Sequence, residues 1–151
     1  MRLIVTASII ALALTGCGGT SSDDTESTEY TVLETETLTL YVEQGLFLPQ
    51  PGPFVTAYDD VVACTGISAP PPDVYLVDSD VTSETYAGIG VELDTTEKRL
   101  IIEGIGPGDD AEPESLHEAA KHLYIHYLLW QSDELDHEAI GHSHDYFSTC
   151  M

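Results

Sequence analysis

The sequence predicts an α+β fold in which a small β-sheet packs on two helices and one disulfide joins distant parts of the chain. Three observations carry this. Short segments place apolar residues at every second position, two longer segments place them at helical spacing, and Cys64 and Cys150 stand far apart in a chain with few cysteines.

Each element follows in chain order. Leu38, Leu40 and Val42 alternate with Thr and Tyr, as in a half-buried strand. LPQPGP over 48–53 is a turn, and Pro53 suits the first turn of a helix because its ring presets φ and its missing N–H is not needed there. Phe54, Ala57, Tyr58, Val61, Val62 and Cys64 then recur at helical spacing until Gly66. APPPD over 69–73 breaks the chain before a strand at 74–77. Segments 89–93 and 99–103 read as strands joined in hairpin fashion by Asp94-Thr95-Thr96-Glu97. GIGPGDDAEPE is a loop, and Ser115 with Glu118 forms a capping box that opens a helix running to about Trp130. The tail from Gln131 to Met151 carries no clear period, and there are no internal repeats.

The first residues read as an export signal. Arg2 precedes a twelve-residue run, Leu3 to Leu14, too short to span a bilayer, which needs roughly 20 apolar residues. Leu14-Thr15-Gly16-Cys17 resembles the lipobox of bacterial lipoprotein signals. That resemblance implies cleavage before Cys17, acylation of Cys17 and anchoring to a membrane through its acyl chains. Gly18 stands where an inner-membrane retention signal would have Asp, which favours the outer membrane. The expected organisation is a signal peptide over 1–16, a disordered acidic tether over 17–36 rich in Gly, Ser, Thr, Asp and Glu, and a folded domain over 37–151.

Composition narrows the partners. All 27 acidic residues follow the signal, against Lys98, Arg99 and Lys121, so nucleic acid and anionic lipid are poor partners. The absence of a D-x-[DN]-x-[DN]-G loop makes a solvated acidic coat a better reading than calcium binding. With Cys17 assigned to lipid, Cys64 and Cys150 remain as an even pair in an oxidising compartment. Their disulfide would close a loop of roughly ninety residues, for which chain entropy assigns about 4.6 kcal/mol.

All 6 histidines lie between residues 117 and 144. On a helical wheel, Leu116, Ala119, Ala120, Leu123, Tyr127 and Trp130 form an apolar stripe, widened by Ile125 and Leu129. This leaves His117, Lys121, Tyr124 and Leu128 for water, and puts His122 and His126 inside the apolar arc. Two imidazoles there need partners, and i, i+4 spacing lets both reach one metal ion. His137, His142 or His144 could supply a third ligand if the tail folds back. Without a metal, each ring would bond a carbonyl or an acidic side chain instead.

Cys64-Thr65-Gly66 after a helix, a strand at 99–103, His122-Leu-Tyr-Ile-His126, Gly141-His142 and Phe147-x-x-Cys150 together resemble a family of small bacterial lipoproteins similar to zincin-type zinc metallopeptidases. The resemblance implies a zincin-like domain, zinc as cofactor, His122, His126 and His142 as ligands, and pairing of the last cysteine with the one after the first helix. His144 and His137 are then the alternatives for the third position. Where that family carries its catalytic Glu, directly after the first histidine, this chain has Leu123. Leucine can neither take a proton from metal-bound water nor return one to a leaving amine. Glu118, one turn before His122, is the candidate surrogate base, and orienting the His122 ring is its other possible role. His117 lies about 140° from His122 around the helix and cannot share its ion. The expectation is a metal-binding envelope domain without catalysis. An active peptidase using Glu118 and a metal-free acidic surface protein compete with it.

Overall fold

In the computed structural model the described residues are 6–10, 28–78, 84–86, 88–104, 106, 113–132 and 145–151. Six strands between Tyr30 and Glu103 form one mixed sheet: β2 (Tyr30–Glu34), β3 (Thr39–Glu43), β4 (Asp73–Val77), β5 (Glu84–Tyr86), β6 (Ile89–Asp94) and β7 (Arg99–Glu103). A further strand, β1 (Thr6–Ile10), pairs antiparallel with β2, and the order across the sheet is β1-β2-β3-β4-β7-β6-β5. The centre, β3-β4-β7, is parallel, and an antiparallel hairpin flanks it on each side. The helices are α1 (Gly52–Thr65), α2 (Pro113–Gln131) and a short α3 (Asp145–Thr149).

The alternation expected of strands decides which face is covered. Leu40, Val42, Val74, Leu76, Val91, Leu100 and Ile102 point inward and join Phe54 and Val61 of α1 and Ala119 and Leu123 of α2 in one core. Gly66 ends α1 at φ 71°, where its N–H meets the carbonyl of Val62 at 2.9 Å, the left-handed stop that glycine allows. Between β6 and β7, the Asp94 carboxylate accepts the N–H groups of Thr96 (3.0 Å) and Glu97 (3.1 Å), closing the expected hairpin. Cys64 and Cys150 form the disulfide.

Several expectations change. The sheet begins ahead of Thr37, because Tyr30–Glu34 pairs along its whole length with β3 and buries Val32 and Leu33. Thr35 Oγ1 takes the N–H of Leu38 at 2.9 Å and closes the turn between them. The acidic composition around 17–36 conceals this strand. α2 starts at Pro113, so Ser115 lies inside its first turn and not at the cap. Tyr124 and Leu128 are fully buried, not solvated, because α1 covers that side of α2; Tyr124 meets Tyr58 edge to face at 5.3 Å. The tail is not wholly irregular, since α3 lies within it. The signal-peptide cleavage site, Cys17, His137, His142 and His144 lie outside the described residues.

Candidate metal site

Two elements build the site. On α2, His122 and His126 are one turn apart and project to the same side, toward the β5 edge of the sheet. On β5, Glu84 and Tyr86 stand two residues apart and therefore share a face. Their partners across the ladder, Val91 and Ile89, are both buried, which identifies that face as the one turned to the helices.

The rings and the carboxylate meet closely. His122 Nε2 lies 3.2 Å from His126 Nε2 and 3.3 Å from Glu84 Oε1. One ligand atom from each of the three residues falls within 4.8 Å of the others. His122 is fully buried, His126 is 8% exposed and the Glu84 side chain is 34% exposed, so the carboxylate stands on the solvent side. Tyr86 stacks on His122 with centroids 4.2 Å apart. Phe147 of α3 leans on both rings, 4.6 Å from His126 and 5.3 Å from His122. The disulfide that joins Cys150, three residues beyond Phe147, to the end of α1 secures this part of the chain.

The chemistry of one nitrogen limits what this arrangement can be. His122 Nε2 carries either one proton or one lone pair. As a donor it must split its proton between Glu84 and His126. As an acceptor from His126 it turns a lone pair on the Glu84 carboxylate. A cation at the centre removes the conflict, because all three atoms then donate inward. With metal–nitrogen and metal–oxygen distances of about 2.0–2.2 Å, tetrahedral ligands stand about 3.3–3.6 Å apart, and shorter bonds bring them closer. The two short edges of the trio match that spacing.

The site thus brings together His122 and His126, the expected pair, with Glu84, which sequence reasoning missed. Nothing in the segment before Gly88 marks a ligand; only the pairing of β5 at the sheet edge carries Glu84 to α2. Glu118 is half-buried and is not among the three residues whose ligand atoms converge. His117 has a packing role: its Nδ1 meets the carbonyl oxygen of Pro53 at 3.1 Å and ties α2 to the start of α1. Leu123 is buried in the core. In comparisons with known proteins, no family model, curated protein or solved structure matches the chain.

Proposed function

We propose that this is an exported, lipid-anchored protein whose folded domain holds a divalent transition metal on Glu84, His122 and His126, without peptidase activity. The observation that carries the metal is the double short contact of His122 Nε2, which one proton cannot serve well and one cation can. Two imidazole nitrogens and a carboxylate oxygen suit zinc, which when bound supplies a Lewis acid. His142 stays a candidate for a further ligand. The lipid anchor is supported by Arg2, the apolar run after it and Leu14-Thr15-Gly16-Cys17; cleavage before Cys17 would remove β1 and leave β2 as the edge strand of a six-stranded sheet.

The absence of catalysis is supported by Leu123, an aliphatic side chain at the position where the zincin-type proteins have their base. Glu118, the alternative base, lies outside the converging group. The role left to the domain is to hold metal, or to present a metal-stiffened surface, at the cell envelope.

Elemental analysis of the purified full chain tests the site. A stoichiometric transition metal is expected, and its loss in a variant carrying both His122→Ala and His126→Ala. Unchanged metal content in that variant rejects the assignment. A second reading has one observation in its favour: 3.2 Å also suits an N–H···N hydrogen bond between neutral rings. That reading requires that the protein carry no metal and melt at the same temperature with and without a chelator.

A further inference from the structure

The face of the sheet away from α1 and α2 is not the polar surface that alternation leads one to expect. Register places Tyr30, Tyr41, Tyr75 and Ile101 on it, side by side across β2, β3, β4 and β7. Tyr41 and Tyr75 stack at 4.5 Å and 7°, and Tyr30 meets Tyr75 edge to face at 5.5 Å. Beside these rings is a half-open cavity of about 240 Å³, lined by Tyr30, Tyr75, Glu43, Asp78 and Arg99 among others.

We propose that this cavity binds an organic monocation, an alkylammonium or alkylguanidinium group on a short aliphatic stem. The ring of Tyr30 and the carboxylates of Glu43 and Asp78 hold it, beside the edge of Tyr75, whose faces are taken by Tyr41 and Arg99. Aromatic rings attract cations through their negative faces, and nearby carboxylates add direct charge.

The cluster already accepts such a group from its own chain, since the Arg99 guanidinium lies over the Tyr75 ring, 5.1 Å from its centroid. That charge is matched by Asp94 at 2.9 Å and Glu97 at 3.4 Å, so Arg99 does not make the cavity positive. Glu43 and Asp78 have no such match. Among the described residues neither forms an ion pair, and the contact between them is the Asp78 N–H donated to Glu43 Oε2 at 2.9 Å. Glu43 sits directly opposite Tyr30 in the ladder, which brings carboxylate and ring to one place. A formal charge of −23 on the whole chain repels anions and draws cations to this surface. The same group could come from a free amine or from a lysine or arginine side chain of a peptide.

The test is a titration of the isotopically labelled full chain at physiological salt, followed by amide NMR shifts. The probes are n-butylammonium and n-butylguanidinium, with sodium at matched ionic strength, n-butanol and butyrate as controls. Saturable shifts centred on Tyr30, Glu43, Val77 and Ile101 are expected for the two cations alone. Affinity should fall about tenfold in Glu43→Gln, which keeps an oxygen for the Asp78 N–H, and at least about threefold in Tyr30→Leu. Glu114→Gln, an exposed change on α2, should leave it unaltered. Unchanged shifts for α1 and α2 amides show that each variant is folded. Shifts spread over the acidic surface, equal binding of butanol, a preference for butyrate, or an equal loss in Glu114→Gln would each overturn the proposal. A blocked peptide containing one lysine separates the two sources: tighter binding than butylammonium assigns the site to a peptide, weaker binding to a free amine.

Discussion

Tyr86 lies stacked on His122, with ring centroids 4.2 Å apart and planes 14° from parallel. This contact does more than fill space. Tyr86 and Glu84 occupy one face of a three-residue strand at the edge of the sheet, so the stack holds the carboxylate in reach of the helix. Tyr86→Ala should therefore weaken metal binding by about ten- to a hundredfold, although it removes no ligand. Tyr86→Phe keeps the ring and should retain nearly full affinity. Competition against a chromophoric chelator measures both, and equal affinities for the two variants would dismiss the positioning role.

A carboxylate placed at position 123, where the zincin-type proteins carry their base, should not create an enzyme. Leu123 is 2% exposed and packs in the core shared by the sheet and both long helices. A glutamate there would place an unpaired charge among aliphatic side chains, which typically costs at least about 3 kcal/mol. Leu123→Glu is expected to lower the melting temperature sharply and to show no peptidase activity on a mixed peptide library. A stable, active variant would mean that residue 123 can face the histidine pair.

The end of the chain should guard the metal. Phe147 leans on both histidine rings, while α3 buries none of its own residues and Cys150, the residue after it, is bonded to Cys64. Removing the disulfide by Cys64→Ala with Cys150→Ala should cost about 2–5 kcal/mol in denaturant unfolding. Phe147→Ala leaves the disulfide intact and should speed metal release to a chelator while altering stability much less. Unchanged release from Phe147→Ala would assign the shielding to other groups.

Much of the fold was legible because its segments repeat a simple period. Leu38, Leu40 and Val42 announce a strand, and the buried face of α1 follows from Phe54, Ala57, Tyr58 and Val61. Where reading failed, the cause was tertiary. A wheel assumes one packed face, but α2 is wedged between the sheet and α1, so Tyr124 and Leu128 are buried on the side reserved for water. Tyr30–Glu34 is hidden in an acidic surround, although Leu33 packs in the core and Val32 is buried on the opposite face, across from Tyr41. In the site, spacing along one helix gave His122 and His126. Glu84 was invisible because a three-residue strand has too few positions to show a period, and its partner is thirty-eight residues away in sequence.

The buried Tyr124 hydroxyl offers a direct check on the two-sided packing of α2. It has no hydrogen-bond partner among the described residues, and burial, with the nearby Tyr58 adding to it, pushes its ionisation well above the usual tyrosine range. An unsatisfied buried polar group costs about 1–3 kcal/mol, so Tyr124→Phe should raise stability by about 1 kcal/mol while keeping the edge-to-face contact with Tyr58. A loss of stability in denaturant unfolding would reveal a partner for that oxygen.

Asp94 ties the β6–β7 hairpin to pH. Desolvation pushes its carboxyl up, but the N–H of Glu97, the Arg99 guanidinium and the N–H of Thr96 together hold it below the ordinary aspartate value. A carboxyl whose folded value is depressed favours the fold above its unfolded value of roughly 3.9, because there the folded state keeps it ionised and bonded. That contribution fades as pH falls through the folded value. Asp94→Asn keeps an oxygen for the turn N–H groups but loses the charge facing Arg99, 2.9 Å away. The stability difference between wild type and Asp94→Asn should therefore be constant from pH 7 to about 5 and shrink toward zero as the solution is acidified below about 4. Denaturant unfolding at a series of pH values measures it, and a difference that persists unchanged at the acid end would show that the hairpin does not depend on this charge.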